Sequence, residues 1–309
     1  MFDLVRLRLL RELAHRGTMT AVAEAFGMTS SAVSQQLATL EREARAKLLE
    51  HVGRRVRLTA EGQRLVAHAQ IILQAVEAAA LDLRAADERP KGELEIACFS
   101  TFAKSRLLPA LMRARERFPD LRLVVRELES PDAIEAVRDG RCHIAVTFAY
   151  NLVPHPEVVG LSSRLLLEEP VVLALPKSWA DRCGSAAHDP IDLADLAEQD
   201  WIVGSRQTDD GLLAERACAL AGFVPRIAHT IDDYDLLLRM VAAGLGVGFV
   251  PELGLRFSSA EHIVVRKPTG VALSRRIHAL TRTALTDSPT VRVLMAELAD
   301  VSDGSIAPV

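Results

Sequence analysis

Apolar positions near the start of the chain fall on three short helical stripes. Leu7, Leu10 and Leu13 share one face of a helix predicted over residues 4–15, and Gly17 stands where a glycine commonly ends a helix. A second helix is predicted over residues 20–26, capped by Thr18 or Thr20, with Ala23 and Phe26 turned inward. Val33, Leu37 and Leu40 stand at i, i+4 and i+7 and give a third helix one buried face, with Thr29 as its N-cap. Ala23 is small where two helices would cross, and Gly27 can take the positive φ of a tight turn. Two helices joined this way form a helix-turn-helix, whose second member can enter a major groove.

The period then changes to two. Across residues 52–59, Val56 and Leu58 alternate with Arg55 and Arg57 after a turn at Gly53, which predicts a hairpin, or wing, with arginines at its tip. Residues 59–87 hold no proline and only one glycine, Gly62. There Leu65, Ala69, Ile72, Val76, Ala79 and Leu83 are spaced 4, 3, 4, 3 and 4, a heptad seam on one long helix. The seam faces either a second copy of itself or the protein's own body, and the two-helix contact suits paired DNA half-sites. Asp87, Glu88, Arg89, Pro90, Lys91 and Gly92 then break the helix and mark a hinge. Beyond it strand and helix patterns alternate. Strands are predicted at 94–98, 121–127 and 144–148, with helices at 107–118 and 132–138. A second series has strands at 171–175, 201–203, 227–231, 247–250 and 277–281, with helices near 193 and at 212–220, 236–243 and 290–298. Such alternation implies a largely parallel sheet.

The start of the third helix carries Thr29, Ser30, Ser31, Ser34, Gln35 and Gln36, short polar side chains able to reach base edges or phosphate oxygens. The plainer reading is that they only solvate a surface helix. Arg54, Arg55 and Arg57 suit phosphates or a minor groove, against the alternative of a solvated charge run. Residues 20–41, TAVAEAFGMTSSAVSQQLATLE, followed by residues 53–62, GRRVRLTAEG, resemble the DNA-binding head of the LysR-type transcriptional regulators in order, spacing and residue type. Departures stand at Arg45, Lys47, Leu49 and His51, where that family usually has Gly, Pro, Phe and Arg.

The remainder resembles the effector-binding domain of the same family, itself similar to periplasmic solute-binding proteins. Residues 241–251, VAAGLGVGFVP, look like its glycine-rich strand entry. The resemblance implies an α+β multidomain chain: a winged helix-turn-helix over 1–60, a linker helix over 61–88, a hinge at 89–92, a two-lobed α/β effector-binding domain over 93–301 and a tail at 302–309. Lobe one would be 93–163 and 269–301, and lobe two 164–268. It also implies a homodimer through the 59–87 helix, a homotetramer beyond that, double-stranded DNA and a small-molecule effector as partners, and RNA polymerase for an activator. Ligands of such folds bind beyond the carboxyl ends of strands and at helix N-termini. Ser100, Thr101, Ser130 and Thr147 occupy those places in lobe one, with Trp201, Val203 and Gly204 as the facing wall. Hydroxyls and free N–H groups suit a carboxylate or another small anion. The alternative is that these Ser and Thr residues only cap helices.

Charge agrees with a DNA-binding head. The chain of 309 residues has a net charge of −4, yet residues 1–92 hold 14 Lys/Arg against 11 Asp/Glu, out of totals of 37 and 41. With 49% apolar and 25% charged residues a disordered chain is excluded, and 4% aromatics predicts aliphatic cores. Cys98, Cys142, Cys183 and Cys218 form no C-x-x-C pair, so no zinc site or disulfide framework is indicated, and reduced thiols in the cytoplasm are expected. No signal-peptide pattern and no long apolar run are seen. Gly244, Gly246 and Gly248 lack the G-x-G-x-x-G spacing of a nucleotide loop. No H-E-x-x-H, G-x-S-x-G or Walker sequence appears, so neither enzyme activity, cofactor nor metal is expected. His143 reads as a satisfied strand residue, at a position where the resembling family typically has Asp. A bifunctional enzyme-regulator, or a ligand-binding protein with a vestigial head, is the alternative.

Overall fold

A computed structural model describes residues 1–52, 55–85, 90–155, 158–179, 190–205, 208–256 and 262–299. The chain divides into two compact units, Met1–Asp87 and Glu88–Val309.

In the first unit, α1 (Leu4–Arg16) is capped by Asp3, whose Oδ1 accepts the N–H groups of Val5 at 2.8 Å and Arg6 at 3.2 Å. Thr18, not Thr20, caps α2 (Met19–Phe26), and Gly27 takes φ +61° before α3 (Ser30–Ala44). Leu7, Leu10, Leu13, Val22, Ala23, Val33, Leu37 and Leu40 close one aliphatic core. Strands β1 (Leu49–Val52) and β2 (Arg55–Leu58) pair antiparallel as the wing. Glu41 fixes the wing's base: its Oε1 accepts the N–H of Leu48 at 2.9 Å and of Leu49 at 3.2 Å. On the other side Thr59 donates to the Lys47 carbonyl and accepts from Gly62 N–H, opening α4 (Ala60–Ala85). Gly62 has to be glycine, because a Cβ there would lie 2.2 Å from the Leu48 carbonyl oxygen.

The heptad seam does not act as one stripe. Leu65 and Ala69, joined by Leu73, are buried in the unit's own core, while Ile72, Val76 and Ala79 lie exposed beside Ile71. The helix therefore changes partner along its length. The Leu83 side chain and residues 86–89 lie outside the described residues.

In the second unit, β3 (Gly92–Cys98) pairs parallel with β4 (Leu121–Glu127) and β5 (Ile144–Tyr150). Between them run α5 (Ser100–Phe102), a π-turn at Ala103–Leu107, α6 (Leu108–Arg117) and α7 (Ser130–Arg138). Next comes β6 (Leu161–Pro176), a strand of 16 residues whose first ten residues carried no strand expectation. In chain order follow β7 (Asp200–Val203), α8 (Asp210–Leu220), β8 (Arg226–Thr230), α9 (Tyr234–Ala242), β9 (Gly248–Pro251), α10 (Glu252–Leu255), β10 (Ile263–Arg266), β11 (Ser274–Arg282) and α11 (Pro289–Ala299).

The sheet is mixed rather than largely parallel. Strand β11 is antiparallel to both β5 and β6, and β6 is antiparallel to β9 and β10. Up to Pro170, β6 pairs with β11 of lobe one; from Val171 it pairs with β9 of lobe two. Strand β6 thus changes partner at 170/171. The expected tail at 302–309 and Cys183 lie outside the described residues. Among the described residues no helix is long and apolar enough to cross a membrane.

Arg45 ends α3 with φ +49° and is one of two non-glycine residues with positive φ among those described. A side chain in that conformation costs about 1–2 kcal/mol, and Arg45 is exposed, so it regains little by packing. Arg45→Gly is expected to raise stability by up to about 1 kcal/mol after the added freedom of the unfolded glycine. Gly62→Ala should cost about 1–3 kcal/mol by overpacking. Urea unfolding followed by circular dichroism checks both signs.

Candidate functional site

The face of α3 offered to solvent is narrower than expected. Ser30, Ser31, Ser34 and Gln35 are exposed. Thr29 is spent on the cap, where its Oγ1 accepts Ala32 N–H at 3.2 Å and contacts Ser31 Oγ at 3.1 Å. Gln36 is turned toward α1: its Oε1 accepts the Arg6 Nε–H at 2.9 Å, and Arg6 also pairs with Glu43. In the wing, Arg57 is exposed opposite Glu50. Arg54 and the Arg55 side chain lie outside the described residues. The departures from the family pattern leave the connection closed, with Lys47 3.6 Å from Glu41 and Leu49 packed on the core.

The second unit carries a cleft between its lobes. Its void is small, about 60 Å³, below the usual range for a drug-sized ligand, so an occupant has to be a small group or part the lobes. Lobe one contributes Phe99, Ser100, Thr101, Lys104, Glu129, Phe148 and Arg275. Lobe two contributes Thr208, Asp210, Asp232, Asp233, Tyr234, Asp235, Leu253 and Gly254. On the floor the Arg275 guanidinium is 1% exposed and is held by Glu169 Oε1, at 2.8 Å from Nε and 2.5 Å from Nη2. Its Nη2 also donates to Thr101 Oγ1 at 3.1 Å, and the group lies 5.0 Å from the Phe99 ring centre and 4.9 Å from that of Phe148. Burial, the largest single influence, lowers the Arg275 pKa, but the Glu169 charge, the Tyr150 and Tyr234 side chains and the Glu169 hydrogen bond together raise it.

Asp210 Oδ1 accepts the Tyr234 hydroxyl at 2.7 Å and the Tyr150 hydroxyl as well, which latches lobe two to lobe one. Burial pushes Asp210 upward, opposed by the bonds from Tyr150, Tyr234 and Thr208. Burial also drives both phenols well above the usual tyrosine range, so they stay protonated and donate. Glu129, at the N-cap position of α7, makes no cap bond. Its carboxyl is pushed up to about 7, first by burial and then by the charges of Asp210 and Asp232. Glu127 adds to this and Arg275 opposes it.

Comparisons with known proteins place both units. The LysR substrate binding domain model matches residues 87–303. The model for bacterial regulatory helix-turn-helix proteins of the lysR family matches residues 4–63. The chain belongs to the LysR family. LysR relatives include the regulator ShiR of Corynebacterium glutamicum, 31% identical over 72% of this chain and 73% of that one. The transcriptional dual regulator GltC of Bacillus subtilis is 27% identical over 81% of each. A full-length OxyR variant from Pseudomonas aeruginosa shares the fold with a TM-score of 0.71 at 19% identity, over 96% of this chain and 95% of that one. This LysR-type chain is a DNA-binding transcriptional regulator with an effector-binding domain.

Within the LysR effector domain the expected residues divide. Ser100 and Thr101 line the cleft. Ser130 is buried, with its Oγ taking the Phe148 N–H at 3.0 Å. Thr147 lines a separate pocket with His155, Ser163 and His278. Trp201 is wholly buried between Phe223 and Phe249, and Val203 and Gly204 are buried too. Gly204 sits behind Asp210, where a Cβ would come within 2.6 Å of the Asp210 Cβ. The facing wall comes instead from residues 208–210, 232–235 and 253–254. Applying the strand-end rule to β7 and β8 would have pointed to the first two of these stretches. Among the described residues five carboxylates line the cleft, of which Asp235 is paired with Arg239, together with exposed Lys104 and the paired Arg275. His143 is a satisfied residue whose Nδ1 accepts the Glu95 N–H at 3.0 Å, doing what an Asp oxygen could do there.

A carboxyl raised in the folded chain binds its proton more tightly there than when unfolded. Its penalty is absent below the ordinary carboxylate range and complete above about pH 7. Glu129→Gln should therefore stabilise the chain relative to the parent more at about pH 8 than at about pH 5. The expected gain is about 1–2 kcal/mol, discounted from about 1.36 per unit because the group is partly solvated. Equal differences at both pH values in urea unfolding would refute this charge account.

Proposed function

We propose that the head reads DNA through Ser30, Ser31, Ser34 and Gln35 on α3, with Arg57 and the neighbouring wing arginines Arg54 and Arg55 on the backbone or minor groove. The observation that carries this is the exposed hydroxyl and amide row on a helix whose opposite face is wholly buried. Thr29 and Gln36 hold the reading helix in place instead. The exposed Ile71, Ile72 and Val76 of α4 support a homodimer through that helix, with paired heads on an inverted repeat and a tetramer assembled from dimers. The inter-lobe cleft is the effector site. An effector that binds one arrangement of the assembly better than another shifts it, and with it the contact to DNA or to RNA polymerase.

This regulator acts in the cytoplasm and not as an enzyme. The His143 imidazole, weighed as a base, is spent on a backbone N–H. A thiol-based response has no support from Cys98, Cys142 or Cys218, all buried. Burial raises these thiols, Cys142 to about 11 and Cys218 to about 12, leaving little thiolate at neutral pH.

Titration of a labelled DNA fragment from upstream of the coding region, at two salt concentrations and against random competitor, tests the reading. Gln35→Ala should lose about 1–3 kcal/mol on the specific site and little on random DNA. Arg57→Ala should weaken both alike and lower the salt slope by about one. Equal loss on both DNAs for Gln35→Ala would remove it from the base-reading set.

A further inference from the structure

We propose that the effector is an organic cation, a primary ammonium or guanidinium compound, whose positive group sits among Glu129, Asp210 and Asp232. This rests on the reading of the inter-lobe cleft as the effector site.

Three carboxylates are carried to one void from both lobes: Glu129 precedes α7, Asp210 opens α8 and Asp232 precedes α9. Among the described residues two of them are held by neutral donors only. Asp210 takes two phenols, and Asp232 takes the Ser205 N–H at 2.6 Å and the Thr208 hydroxyl at 3.3 Å. Glu129 makes no cap bond with the helix behind it. Among the described residues the lining holds two cations of its own. Arg275 is consumed beneath the floor by Glu169, and Lys104 is exposed. Like charges gathered at a partly desolvated void repel one another, and a ligand cation removes that repulsion while making charge-assisted hydrogen bonds. The Tyr234 ring in the same wall offers an aromatic surface to an ammonium or guanidinium group. An anion would add to the repulsion among these three carboxylates.

The test uses the full chain with agmatine and benzylamine as cationic probes, and benzyl alcohol, benzoate and calcium ion as controls. Binding is followed by calorimetry and thermal unfolding at neutral pH. The expected result is binding of at least one amine, weakened about tenfold or more by Glu129→Gln and by Asp232→Asn, with no binding of benzoate or benzyl alcohol. The inference is overturned if benzoate or benzyl alcohol binds in preference to the amines. It is overturned too if calcium alone reproduces the effect, if both variants bind an amine as the parent does, or if no probe binds. Ser100→Trp, which puts a bulky ring into the cleft lining, separates the two levels. Benzoate binding that Ser100→Trp abolishes would sink the cation but keep the cleft as the effector site. Probe binding that survives Ser100→Trp would remove the cleft itself, and the cation with it.

Discussion

A positive charge buried under a cleft must be answered, and Arg275 is answered by Glu169. They are 1% and 4% exposed, so either one alone would be a buried, unpaired ion of the kind that costs several kcal/mol. The surroundings are built to the pair's shape. Phe99 and Phe148 lie against the guanidinium, and Thr101 accepts its remaining reach at the start of α5 in lobe one. The second Glu169 oxygen accepts the Leu253 N–H at 2.7 Å, on α10 in lobe two. One ion pair therefore sets the floor from which both walls rise. It also cancels its own charge, and this leaves the walls' carboxylates to decide what the cleft attracts.

The head was legible because its determinants are local. Caps, turn glycines and an i, i+4, i+7 face sit within a few residues of one another, and Thr18, Gly27 and Val33 act where the pattern puts them. What escaped was any contact across the head. The Arg6–Gln36 bond joins residues 30 apart and ties Gln36 to α1. The long seam misled for a related reason. A heptad spacing shows that one face is apolar, yet it does not tell which partner covers each turn, and Leu73 replaces Ile72 where the head itself is the partner.

The cleft was far less legible. Residues 169 and 275 are 106 apart, and Tyr150 meets Asp210 across 60 positions. No spacing rule links such pairs. The strand-end rule found Ser100 and Thr101, but it said nothing of side-chain direction. Ser130 turns back to a backbone N–H, and Thr147 faces another pocket. Hydroxyls mark helix starts within a local pattern, whereas no spacing rule singles out the acidic residues after β7 and β8. Their meaning appears only when the fold brings them face to face.

Strand β6 runs unbroken through both lobes and is hydrogen-bonded along its way, first to β11 and then to β9 and β10. Sliding one lobe past the other would shear these ladders, whereas twisting the strand near Pro170, which has no N–H to lose, leaves most of them intact. The domain is in this sense a torsion bar. A twist there would turn one lobe about a single axis while both ladders stay paired.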